Sequence, residues 1–208
     1  MAAGARRGSP LTPEEIYATA LRLVNEGGVE ALSMRKLAAA LDVNPMSLYH
    51  HVESKTALID QICLTMAERL EIPVMDGAPW QERLRALGHA YRRLATTYPA
   101  LWSYVHTHPE LVAAREGGLW DVFLPILRAA GVPEDELLRT ADVLHAFVTG
   151  LLINQQNGHI GSDRSPEAMD RMFETAIDLI LDGLTARHSP AGRAGGGAAD
   201  EARPAAPR

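Results

Sequence analysis

The chain has 208 residues and one cysteine, Cys63. A lone thiol excludes an internal disulfide and any zinc site built from several cysteines, so Cys63 is expected to pack in a core. Long apolar runs are also missing. The longest mostly apolar stretch, Ala141 to Ile153, contains Asp142 and His145 and falls short of the roughly 20 residues a membrane-spanning helix needs. No membrane association is therefore expected. The opening MAAGARRGSP has Arg6 and Arg7 but no apolar run after them, which is not the pattern of a secretory signal, so a cytoplasmic location is expected. A basic excess is lacking as well. The net charge is −6; residues 1–56 balance Arg6, Arg7, Arg22, Arg35, Lys36 and Lys55 against Glu14, Glu15, Glu26, Glu30, Asp42 and Glu53, so the remainder carries the whole deficit. Charge alone does not mark a nucleic-acid binder, and any such case must rest on local geometry. Nucleophile elbows, HExxH motifs, phosphate loops and carboxylates paired by spacing are all missing, which leaves an enzyme reading without a reactive constellation and no cofactor to expect.

What the sequence has is helical periodicity. With 47% hydrophobic and 22% charged residues it is expected to fold in water, and apolar spacings of three and four without period-two runs make it all-α. Thr12-Pro13-Glu14-Glu15 reads as a capped start for a first helix with Ile16, Ala20, Leu23 and Val24 inward, closed by Gly27-Gly28. Ser33 caps a second helix to Leu41, Asn44-Pro45 opens a third to about His51, and Ser54 caps a fourth over 55–70 with Leu58, Ile62, Met66 and Leu70 inward. Trp80, Leu84, Leu87, Tyr91, Leu94 and Tyr98 form one seam of a fifth. Further helices are expected over 100–108, over 109–130 with interruptions at Gly117-Gly118 and Pro125, from Pro133 to about Gln156, and from Ser165-Pro166 to about Arg187. The Gly/Ala/Pro-rich stretch 189–208 has no large apolar residue to bury and is expected to be disordered.

The informative segment is Leu32 to Leu58. Two short helices joined by a tight turn, the second with Leu48 inward and polar residues outward, form a helix-turn-helix unit. In such a unit the second helix enters the DNA major groove, which here assigns the reading to residues 45–51.

Ser33-Met34-Arg35-Lys36-Leu37-Ala38, Val43, Ser47-Leu48-Tyr49-His50-His51-Val52 and Ser54-Lys55 with Ala57-Leu58 resemble the DNA-binding domain of the TetR family of transcriptional regulators. More loosely, residues 80–99 and 144–152 are similar to the C-terminal domain of its tetracycline-repressor branch. The resemblance implies a homodimer with a ligand pocket in each C-terminal domain. It makes Arg35 a base reader, gives Pro45 and Met46 contacts to thymine methyls, and places Ser47, Tyr49, His51 and Lys55 at phosphates, with Thr12 joining from the start of the first helix. His50 stands at a variable position beside them. Arginine can engage a guanine edge through two hydrogen bonds, whereas hydroxyl, imidazole and ammonium groups suit the backbone.

Simpler roles compete. Arg35 would serve equally as a surface partner for an acid, and Tyr49 as packing on the first helix. His50 and His51 are adjacent on a helix and point about 100° apart, which does not suit one metal ion. His106, His108 and Glu110 read as a polar loop at a helix break, so no metal is expected. The helix containing Leu144, Val148, Gly150 and Leu151 and the helix containing Ile177, Leu181 and Leu184 are apolar on more than one side, and a dimer joined through these residues as a four-helix bundle would cover the excess. Trp102, Tyr104, Trp120, Phe123, His145, Phe147, Asn154 and Gln155 supply the aromatic walls and polar handles of a small-molecule site.

These residues give an all-α chain with a three-helix helix-turn-helix domain followed by a helical ligand-binding and dimerisation domain. The expected divisions are a flexible arm over 1–11, a DNA-binding domain over 12–72 including a linking helix over 55–70, a second domain over 73–188 and the tail. The leading functional reading is a homodimeric repressor on double-stranded palindromic operator DNA, released by a small-molecule inducer. A ligand-independent regulator or activator and a small all-α enzyme are the alternatives.

Overall fold

A computed structural model of the chain describes residues 10–71, 77–108, 118–161, 163 and 165–188. Every regular element among them is helical: α1 Pro13–Gly27, α2 Met34–Leu41, α3 Pro45–Leu48, α4 Lys55–Ala67, α5 Trp80–Thr97, α6 Pro99–Thr107, α7 Leu119–Ala129, α8 Glu134–Gln156 and α9 Pro166–His188, with a 3-10 turn at Val29–Ala31. The expected tail, most of the expected arm, and the start of the helix expected from Pro109 lie outside the described residues. No helix among the described residues is long and apolar enough to cross a membrane.

The helices fall into two compact units. The first holds the described residues of Met1–Glu71 and Ala90–Gly118, the second those of Ile72–His89 and Leu119–Arg208.

In the first unit, polar caps set the helix starts. The Thr12 hydroxyl accepts from the Glu15 amide while the Glu15 carboxylate accepts from the Thr12 amide, satisfying two amides that have no intrahelical partner. Ser33, Asn44 and Ser54 cap α2, α3 and α4 in the same sense. Asp42 closes α2 in the left-handed conformation, φ 54°, and the Val43 amide donates to the Ala38 carbonyl. That turn reverses the chain into α3. The core joins Ile16, Ala20, Leu21 and Val24 of α1 to Leu37, Ala38, Leu41, Leu48, Leu58 and Ile62. Leu21 takes the buried place expected for Leu23, which is only half-buried, and Leu70 likewise stays half-buried beyond the end of α4. Cys63 is buried as expected, and burial, helped by Asp60, pushes its thiol up to about 12. A thiol that stays protonated is a poor nucleophile.

The helix expected over 100–108 begins one residue earlier: Pro99 occupies the first turn of α6, where its missing amide hydrogen costs nothing.

In the second unit, α8 packs on α7 and α9 on α8. Pro125 lies inside α7 without ending it. The first half of α5 meets α9 through Arg85, whose guanidinium pairs with Glu174 and Asp178, and through His89, whose Nε2 lies 3.1 Å from Glu174. Gly88 sits over Ile177: a Cβ there would come within 2.7 Å of the isoleucine Cδ1.

Candidate nucleic-acid interface and effector region

The nine residues assigned to DNA all reach solvent. Ser33 accepts from the Lys36 amide at 3.2 Å, which fixes the first turn of α2 and leaves Arg35 and Lys36 exposed. Among the described residues the Arg35 side chain has no acid partner, so the ion-pair role does not occupy it. Asn44 accepts from the Met46 amide at 2.9 Å and Pro45 starts α3. With Leu48 fully buried beneath them, Met46 is 66% and Tyr49 49% exposed. The regular helix is shorter than expected, ending at Leu48, but the turn continues: the His51 and Val52 amides both donate to the Leu48 carbonyl at 2.9 Å. Pro45, His50 and His51 are exposed, and Ser47 is half-exposed. Lys55 opens α4 behind the Ser54 cap and is half-exposed. Thr12 is half-exposed, its oxygen engaged by Glu15 and its hydroxyl hydrogen left to donate.

An exposed methionine and tyrosine on so short an element do not help the fold, since both leave apolar surface in water. They suit a surface that a partner covers.

The eight residues assigned to a ligand site divide between the units. In the first, Trp102 is buried, with its ring edge-on to Tyr91 at 4.5 Å and 4.6 Å from the His106 ring. The Trp102 indole nitrogen is buried without a hydrogen-bond partner among the described residues. His106 Nδ1 donates to the Trp102 carbonyl at 2.8 Å, and its Nε2 lies 3.5 Å from the Tyr91 hydroxyl. Burial holds the imidazole below its ordinary pKa despite that hydrogen bond. Tyr104 stacks on His108 at 3.8 Å, and His108 Nδ1 donates to the Tyr104 carbonyl. His106 and His108 thus each turn a ring nitrogen to their own helix; Glu110 lies outside the described residues.

In the second unit, Trp120 contacts Phe123 and His145 at centroid distances of 6.1 and 5.5 Å. Asn154 donates to the Gly150 carbonyl and Gln155 to the Met169 carbonyl. Phe147 is 47% exposed, a surface residue rather than a wall.

The residues expected at a dimer interface divide by their burial in the single chain: Val148, Ile177, Leu181 and Leu184 are buried within its second unit, whereas Leu144, Gly150 and Leu151 stay half-buried. Helical spacing identifies a buried stripe but not which chain buries it. The outward apolar residues of α8 and α9 include Val143, 61% exposed, and Leu179, 62% exposed, beside Phe147.

Sequence reasoning placed Tyr91 only in a core seam and read His106 as part of a polar loop, with a metal ligand as the rejected alternative. Their association with Trp102 depends on how α5 and α6 fold together, and no spacing rule reports it.

Residues 16–62 match the model for bacterial regulatory proteins of the tetR family, and residues 84–180 match that for the tetracyclin repressor-like C-terminal domain. An HTH-type transcriptional regulator of Saccharopolyspora erythraea is 29% identical over 67% of this chain and 59% of its own length. The HTH-type transcriptional repressor DrrR1 of Streptomyces coeruleorubidus is 28% identical over 70% of this chain and 54% of its own. The chain therefore spans little more than half the length of these two relatives. A TetR variant from Acinetobacter baumannii, solved in complex with minocycline, is 25% identical with a TM-score of 0.66, covering 86% of this chain and 99% of that one.

Proposed function

The chain belongs to the TetR family of bacterial regulatory proteins, and from that premise we propose that it is a transcriptional repressor that binds a palindromic operator as a homodimer and is released by a small molecule. The family is one of transcriptional regulators, not enzymes. The observation that carries the reading is the surface of α2, α3 and the start of α4, where Arg35, Met46, Tyr49 and Lys55 reach solvent around a buried Leu48. Residues 12–72 are the DNA-binding domain in this reading, and residues 73–188 serve ligand binding and dimerisation. Repression in the relative from Streptomyces coeruleorubidus and minocycline binding in the Acinetobacter protein support it.

In a dimer the two reading segments address half-sites one helical turn apart, about 34 Å, so operator symmetry follows protein symmetry. Arg35 reads a base edge, Pro45 and Met46 touch thymine methyls, and Thr12, Ser47, Tyr49, His51 and Lys55 hold phosphates with His50 beside them. The outward side of α8 and α9, at Val143, Phe147 and Leu179, supplies the apolar surface for the second copy.

The test is selection of bound sequences from a random duplex pool, followed by fluorescence anisotropy on the enriched site. Recovery of a palindrome bound by two chains supports the proposal. Recovery of no enriched sequence overturns it. Ligand release is then tested by screening small molecules for loss of the operator complex.

A further inference from the structure

A cleft of about 400 Å³ lies in the first unit, between the turn that follows α4 and the second half of α5. Its size is within the range of small-molecule sites, roughly 300 to 1,000 Å³. Ala90 and Leu94 give it an apolar floor, while Arg69, Arg93, Thr97 and Tyr98 line its walls. None of these belongs to the residues assigned to DNA or to the aromatic cluster at Trp102.

The polar groups are mostly donors. Arg69 donates to the Tyr98 phenol oxygen at 2.7 Å and lies 5.7 Å from the ring centroid. Arginine has no acceptor, so this bond leaves the Tyr98 hydroxyl hydrogen available. Among the described residues Arg93 reaches a backbone carbonyl, that of Glu71, at 3.5 Å. Among the described residues neither guanidinium forms an ion pair. Two planar cationic forks, a phenol and a threonine hydroxyl around an apolar floor match a carboxylate attached to a small apolar body. Glu71 also lines the cleft, and the negative charge that it carries close by opposes a dianion more than a monoanion.

We infer that this cleft is a binding site for a small organic monocarboxylate, held by Arg69 and Arg93 with its apolar part on Ala90 and Leu94. The inference stands apart from the repressor reading, and failure of either leaves the other in place.

Benzoate is the probe, with benzamide as its neutral isostere and inorganic phosphate as the dianion arm, each titrated calorimetrically into the full chain. The expected result is saturable binding of benzoate and not of benzamide. Arg69→Gln and Arg93→Gln should each weaken it about tenfold or more, and Glu71→Gln should tighten it. Arg22→Gln, which removes an arginine paired with Glu26 on α1, should change nothing. Helicity and melting temperature verify that each variant is folded. Absence of saturable benzoate binding, equal weakening by Arg22→Gln, tighter binding of phosphate than of benzoate, or looser binding in Glu71→Gln would each overturn the site.

Discussion

Gly131 stands against the last residue of α9: a Cβ built on it would lie 3.1 Å from the His188 carbonyl oxygen, and its own φ is +87°. Conformation and contact both demand glycine, because a side chain would be strained at that φ and would press on backbone. The turn after α7 and the end of α9 are thereby held together. Gly131→Ala is expected to destabilise the fold by about 1 to 3 kcal/mol, read as a lower urea midpoint at unchanged slope. An unchanged midpoint would mean that the end of α9 gives way without cost.

Arg35 and Lys55 both flank the reading segment but should fail differently. Arg35→Ala is expected to weaken operator binding by about 1 to 3 kcal/mol and to relax preference at one base pair per half-site. Lys55→Ala should lower affinity for all sequences alike and reduce the salt slope by about one unit. Anisotropy titrations against single-substitution operators at several salt concentrations separate the two. Equal loss on every operator for Arg35→Ala would make it a phosphate contact, and an unaltered salt slope would take Lys55 out of the interface.

The difference between outward and inward apolar residues on α8 and α9 gives a paired prediction. Val143→Glu and Leu179→Glu place charge on exposed positions and should yield folded monomers by sedimentation. Ile177→Glu buries an unpaired charge under Gly88 and should unfold the chain, at a cost of several kcal/mol. Intact dimers from both surface variants would move the interface elsewhere.

That pair also marks how far the sequence could be read. Helix starts were legible because Thr12, Ser33, Asn44 and Ser54 are capping residues, and each caps where expected. The short helix α3 was legible for the same reason, from Asn44-Pro45 at its start and Leu48 as its one buried anchor. Stripe edges were less legible: Leu21 rather than Leu23 is buried in α1, because the two point about 200° apart and flank the Ile16, Ala20 and Val24 stripe on opposite sides, which spacing alone does not rank. Which side of α8 and α9 meets a second copy was not legible, because both helices have two apolar sides and periodicity does not tell the intrachain core from the outer surface. The arginine cleft left no trace, since Arg69 and Arg93 come together only through the packing after α4.

His106 supplies a pH signature. Burial lowers its pKa from the ordinary 6.5, outweighing the Trp102 hydrogen bond, so the unfolded chain takes up the proton first. The stability linked to it is complete above about pH 6.5 and is lost as pH falls through the depressed folded value. The loss cannot exceed about 1.4 kcal/mol per pH unit for one group. Urea midpoints measured from pH 7.5 to 5 should therefore fall more steeply for the wild-type chain than for His106→Gln. Parallel curves would show that His106 titrates as freely in the folded chain as in the unfolded one.

The proposed switch makes the most exacting demand. α6, carrying Trp102 and His106, packs against α4 within the first unit, and α4 opens on Lys55. A ligand that touches the buried Trp102 indole nitrogen would displace α6 against α4 and so shift Lys55 and the reading segment that precedes it. Allosteric coupling of about 1 to 3 kcal/mol corresponds to an operator affinity lower by about 5 to 150-fold, and linkage requires operator DNA to weaken ligand binding by the same factor. The measurement takes a compound that raises the melting temperature and determines its dissociation constant with and without saturating operator. Trp102→Phe, which removes the indole donor and retains an aromatic ring, should reduce ligand affinity while operator affinity without ligand stays near the wild-type value. Equal dissociation constants with and without operator would mean that the compound binds without inducing, and the chain would then act as a ligand-independent regulator toward it.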